Sequence, residues 1–95
     1  NTIAGIPVIE AKSDHTTHFG GDVLPRTNAL YDLGSDTKRW DTVYTSDLSL
    51  KNDFGDWTIV EGEDNLFLYN NKKDKTYKFN LTEVDASEVP PKRDE

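Results

Sequence analysis

Apolar positions fall along this chain in short bursts separated by Gly, Pro, Asn and Asp, and no helical period persists anywhere. The clearest signal spans residues 52–84. Trp57, Ile59 and Glu61 alternate with Thr58 and Val60, as in a strand with two unlike faces. The acidic stretch Glu61–Asn65 then reads as a turn. Leu66, Phe67, Leu68 and Tyr69 predict a strand apolar on both faces, suited to burial or to a trimer interior. Asn70–Lys75 is polar and turn-like. Thr76–Leu81 predicts the return strand, with Tyr77, Phe79 and Leu81 on one face.

The remaining segments are more broken. Over 1–28, Ile6, Val8 and Ile9 predict one brief strand, and Val23 and Leu24 another stopped by Pro25, with a turn or bulge at Gly20–Gly21. Over 29–51, short strands carrying Leu30, Tyr31 and Leu33, then Trp40, Val43 and Tyr44, are expected around a turn at Gly34–Ser35. An alternative is a single helical turn at Thr37–Trp40 with Ser35 or Asp36 as N-cap. Leu48 and Leu50 alternate with polar neighbours, as in a half-buried strand. Residues 85–95 carry Pro90–Pro91 and dense charge, and read as an exposed flexible tail. The expectation is an all-β chain of short strands and hairpins in four segments: an irregular shaft-like stretch (1–28), a second stretch (29–51), a terminal β-hairpin module (52–84) and the tail.

Composition makes that fold a thin one. The chain has 95 residues and is 34% hydrophobic, so it has room for one small domain or two sub-modules. Leu, Ile, Val and Phe make up about 23% of residues, just above the ~20% level at which disorder becomes the better reading. Ten aromatics argue for a fold, one whose core a partner could complete. The net charge of −7 disfavours nucleic acid and anionic membranes as ligands. No apolar run is long enough for a transmembrane helix. Cys is absent, which excludes disulfides and thiolate metal sites. Met is absent too, position 1 included, and the chain is expected to begin inside a longer polypeptide.

Candidate chemistry is sparse. His15 and His18 are the only histidines. On a strand, side chains three apart face opposite ways, so a metal site would need copies of one His converging on a threefold axis; two solvated histidines are the plainer reading. Glu61, Glu63 and Asp64 supply hard oxygen donors for calcium, but without the EF-hand spacing they read as a solvated turn. Ser13, Asp14 and His15 are adjacent, whereas triads are assembled from distant positions. No nucleophile elbow, P-loop or dinucleotide fingerprint occurs, so no enzyme and no cofactor are expected. Trp40 and Trp57 can stack on sugar rings or be buried in a β core. Asn80-Leu81-Thr82 matches the N-glycosylation sequon but falls within an expected strand.

Residues 29–51 add specificity. Tyr31-Asp32-Leu33-Gly34-Ser35, Lys38-Arg39-Trp40 and Val43-Tyr44, with Pro25 ahead of them, resemble a motif that recurs in tailed-phage tail fibres and related virion appendages. Trp57–Leu66, Asn70–Lys72 and Tyr77–Phe79 resemble a C-terminal module of fibre-like proteins of marine phages. Together these stretches cover about two-thirds of the chain. Ser46-Asp47 and Leu50-Lys51-Asn52 partly resemble the start of the self-cleaving chaperone of endosialidase-type fibres. That chaperone is longer and largely helical, whereas only 43 residues follow here and they read as β, so autoproteolysis is not expected.

The resemblance implies a virion location and an intertwined homotrimer that contacts a host cell-surface glycan or protein receptor. Leu30, Leu33, Trp40, Tyr44, Leu66, Phe67, Leu68 and Phe79 would form the trimer core. Trp57, Glu63, Asp64, Asn71 and Lys73 are the candidate ligand-binding residues. Neither nucleic acid nor membrane insertion is implied. A monomeric carbohydrate-binding β module, or a head-decoration or neck fibre, remains the alternative.

Overall fold

The computed structural model describes residues 2, 3 and 5–90. It is all-β apart from one 3-10 turn, and it divides into two units, Asn1–Asp41 and Thr42–Glu95. In the first unit, β1 (Thr2–Ile3) pairs with β2 (Ile6–Pro7), and β3 (Ile9–Ala11) pairs with β4 (Thr17–Phe19). The single strand expected from Ile6, Val8 and Ile9 is therefore split between two hairpins. Val8 lies at the bend, where its carbonyl accepts from Gly20 N–H at 2.6 Å.

The segment expected to be a loop around the histidines is half strand. His18 sits in β4, while His15 caps the turn with φ 70°. That turn is tied by Lys12 N–H to the Thr16 carbonyl (2.8 Å), and by the Asp14 carboxylate, which accepts from Thr16 Oγ1 (2.6 Å) and Thr16 N–H (3.1 Å).

From Gly20 to Ser46 there is no strand. This corrects the strands expected at Val23–Leu24 and across Leu30–Tyr44; bursts of two or three apolar residues find no neighbouring strand within the chain to pair with. The turn itself is present. Ser35 and Lys38 exchange backbone hydrogen bonds (3.0 and 3.2 Å), and Ser35 Oγ also accepts from Lys38 N–H (3.1 Å). Ser35 thus supplies the contact that an N-cap would make, but no helix follows.

Gly34 takes φ +85°, and a methyl group there would lie 3.2 Å from the Lys38 carbonyl oxygen and 3.4 Å from Trp40 Cδ1. The glycine is needed twice, for the left-handed backbone and for the indole edge that folds back over it. Trp40 and Tyr44 were expected in one short strand. They are not in a strand and belong to different units.

The second unit holds an antiparallel meander: β5 (Asp47–Lys51), β6 (Asp56–Glu61), β7 (Leu66–Asn70) and β8 (Lys75–Lys78). Its register explains the two-sided sequence pattern. Leu48, Ile59, Leu68 and Tyr77 lie in one row across all four strands, and Leu50 faces Trp57 in the next. Residues opposite one another share a face, so with Leu66 these make one apolar face. The other face carries Ser49, Thr58 and Thr76 together with Val60, Phe67 and Tyr69.

The return strand stops at Lys78, earlier than expected, although Phe79 still donates to the Leu66 carbonyl (3.0 Å). In the segment expected to be a tail, Asp85 caps the 3-10 turn Ala86–Glu88 in a reciprocal capping box. The remainder of that segment, 91–95, lies outside the described residues.

Among the described residues none is buried. The two central strands, β6 and β7, come nearest, being mostly half-buried. Burial follows position in the sheet: central strands have neighbours on both sides, edge strands on one.

Candidate functional site

Hairpins in a meander alternate ends, and this sorts the candidate ligand-binding residues. The β6–β7 turn, with Glu63 and Asp64, lies at one end of the sheet, where Glu61 faces Leu66. The β7–β8 turn, with Asn71 and Lys73, lies at the other, where Asn70 faces both Trp57 and Lys75. Trp57, Asn71 and Lys73 therefore gather at one end, and Glu63 and Asp64 do not join them. Among the described residues no cluster of three metal-ligating side chains forms, and His15 and His18 are separately exposed.

The end that carries Trp57 is the more built of the two. The β5–β6 turn, Asn52–Gly55, is an Asx turn: Asn52 Oδ1 accepts from Phe54 N–H (2.8 Å) and Gly55 N–H (3.0 Å), and Asn52 N–H donates to the Gly55 carbonyl (3.0 Å). Lys72 Nζ reaches from the neighbouring turn to the Phe54 carbonyl (3.4 Å). Asn71 joins the two turns as well. Its amide donates to Asp56 Oδ1 (3.2 Å) and Thr58 Oγ1 (2.9 Å), and its backbone N–H donates to the Asp56 carbonyl (2.8 Å). The indole of Trp57 folds back on this turn, because a methyl group on Gly55 would meet Trp57 Nε1 at 3.1 Å. Across the apolar face the Trp57 ring lies 6.1 Å from that of Tyr77.

Two adjoining hollows result, sharing Lys51, Asn52 and Gly55. One, of about 630 Å³, is walled by Leu50, Phe54 and Trp57; the other, of about 230 Å³, by Asp56 and Lys72. Phe54 stands 88% exposed on a turn whose Phe54 and Gly55 amides are both held by Asn52 Oδ1.

Sequence reasoning passed over Lys51, Asn52, Phe54 and Lys72. The available signal was Asn-x-x-Gly at 52–55, which marks an Asx turn. Its nearness to Asn71–Lys72 needed the strand register.

The residues expected to pack a trimer core are spread over both units. Leu33 and Trp40 line an open apolar hollow of about 640 Å³ in the first unit, together with Phe19, Val23, Leu24 and Tyr31. Leu30 is exposed, and Tyr44 is 94% exposed just ahead of β5. Leu66 and Leu68 lie on the apolar face of the sheet. Phe67 lies on the other face, where its ring covers Gly62 so closely that a methyl group there would sit 2.6 Å from Cε2. Phe79 is half-buried just past β8.

Two carboxyls are shifted. Hydrogen bonds from Thr16 hold Asp14 below the usual carboxylate value, and those from Ser87 do the same for Asp85. Both are loop caps rather than acid–base groups. Comparison with protein-family models, with curated proteins and with solved structures gives no match.

Proposed function

We propose that this chain is a non-enzymatic structural module of a virion fibre or spike, working as a homotrimer that presents a surface to a host cell-surface receptor. One observation carries the assembly half of this reading. The chain exposes 9705 Å² of surface. A compact monomer of 10.8 kDa exposes about 5,500 Å², and two separate compact bodies of half that mass would together expose about 6,700 Å². The excess is about 3,000 Å² per chain, on the order of what subunits of permanent assemblies bury.

Part of the exposed surface is apolar and contiguous. Leu48, Leu50, Trp57, Ile59, Leu66, Leu68 and Tyr77 form one uncovered sheet face, and a face of this kind is stable only against a second layer. In the trimer, three such faces meet around the common axis, and the apolar hollow at Leu33 and Trp40 is filled by a neighbouring copy. The threefold count and the virion setting come from the resemblance of Tyr31–Tyr44 to the tail-fibre motif. Host recognition then falls to the turns at the sheet's ends, and three copies would raise the avidity of weak single sites.

Multi-angle light scattering of the purified chain tests the assembly. A mass of three chains is expected. A well-folded monomer at micromolar concentration refutes it.

A further inference from the structure

The turns at the Trp57 end of the sheet carry a charge at odds with the rest of the chain. The four lysines Lys51, Lys72, Lys73 and Lys75 outnumber the three aspartates there, Asp53, Asp56 and Asp74, which leaves a slight positive excess in a chain of net charge −7. They are set on two adjacent turns and the strand ends beside them. The one ion pair among the described residues is Lys12–Glu10, so all four are free of carboxylate partners within ion-pair distance. Beside them the Asn52 turn, closed by three hydrogen bonds of its own, holds an aromatic ring bare to solvent. A large apolar side chain held outward on a rigid turn is a preorganised contact, since little ordering entropy is left for binding to remove.

We propose that this end of the sheet is a binding site for an anionic saccharide. The apolar face of a sugar ring stacks on Phe54, and its anionic group sits between Lys51 and Lys72 in the smaller hollow, with Asn52 and Asp56 placed to meet ring hydroxyls. The pairing of an aromatic wall with a cationic hollow fits a ligand that is itself apolar on one side and anionic on another. A protein partner fits less well, because lysine is depleted in protein interfaces and the hollows are small. Carboxylated and phosphorylated glycans share the required chemistry. This inference deepens the recognition half of the fibre reading and rests on it; the assembly half is independent.

The test measures binding of the full chain by biolayer interferometry to immobilised polygalacturonate, to a phosphate-bearing teichoic-acid polymer and to neutral dextran, at low and at 0.5 M salt, with light scattering on each sample. Binding to at least one anionic polymer, weakened by salt and absent on dextran, is expected; which polymer binds identifies the anionic group. Phe54→Ala should weaken it at least tenfold, and Lys51→Gln/Lys72→Gln should weaken it and flatten its salt dependence, with the scattering mass unchanged. Several outcomes overturn the proposal: no binding to either anionic polymer, equal binding to dextran, unchanged binding by both variants, or a lysine variant that alters the oligomer, which would make the patch a contact between copies. A trimer that binds no saccharide leaves the fibre reading standing, and a monomer that binds one leaves the site standing without the assembly.

Discussion

Ile59 is a position where the assembly reading and a self-contained sheet differ in number. It lies on central strand β6, facing Leu48 on one side and Leu68 on the other, on the apolar face, and it is half-buried in the isolated chain. Ile59→Ala removes three carbons. At ~0.8 kcal/mol per buried methylene, complete burial makes that about 2.4 kcal/mol, and the partial burial of the isolated sheet about 2 kcal/mol. If neighbouring copies cover the face, the residual cavity adds to the transfer loss, and ~3–4 kcal/mol per chain is expected. The loss would then recur in every copy.

The assay is urea unfolding at two chain concentrations a hundredfold apart, because the midpoint of an assembly moves with concentration whereas that of a monomer does not. Val60→Ala, on the opposite face of the same strand, is the control and should cost about 1 kcal/mol at its partial burial. A loss of about 2 kcal/mol or less for Ile59→Ala, with midpoints independent of concentration, would refute the claim that this face is covered.

Three further outcomes follow from local geometry. Gly34→Ala forces a left-handed backbone on an L-residue and crowds the Lys38 carbonyl, so it should destabilise the first unit by ~1–2 kcal/mol and blue-shift Trp40 fluorescence less completely on folding. Asn52→Ala removes the acceptor for two turn amides and should speed hydrogen exchange at Phe54 and Gly55, at a cost of about 1 kcal/mol; unchanged exchange would contradict the Asx turn. Asp14 and Asp85 have lowered carboxyl values in the fold, so their contribution is present above the ordinary carboxylate value of 3.8 and is lost as pH falls through the lowered one; an NMR titration should show the Thr16 and Ser87 amide shifts moving with midpoints below pH 3.8.

The sequence was most legible in the second unit. Alternation at Trp57–Glu61, the apolar run Leu66–Tyr69 and the return strand at Thr76–Leu81 anticipated three of the four strands there, and Leu48–Leu50 anticipated the fourth. A strand's period of two is written residue by residue, so it survives without knowledge of what the strand pairs with. The Gly34 turn was legible for the same reason, since positive φ is a property of one residue. Illegible were the fate of Val23–Leu24 and Leu30–Tyr44, whose short apolar bursts look alike whether they pair or run as open chain, and the strand character of His18, which depends on its register with Glu10.

What the amino-acid order alone determined is thus the all-β class, the thinness of the core and the places where the chain turns. Only the tertiary structure decided that Leu48, Leu50, Trp57, Ile59, Leu66, Leu68 and Tyr77 share one face of the meander, with Val60, Phe67 and Tyr69 on the other. It also decided that Trp57 and Asn71 share an end of the sheet from which Glu63 and Asp64 are excluded, and that Phe54 is held bare between lysines. The physical reason is that hydrogen-bond register joins residues up to eighteen positions apart, as Lys72 and Phe54 are, and no local pattern carries that distance.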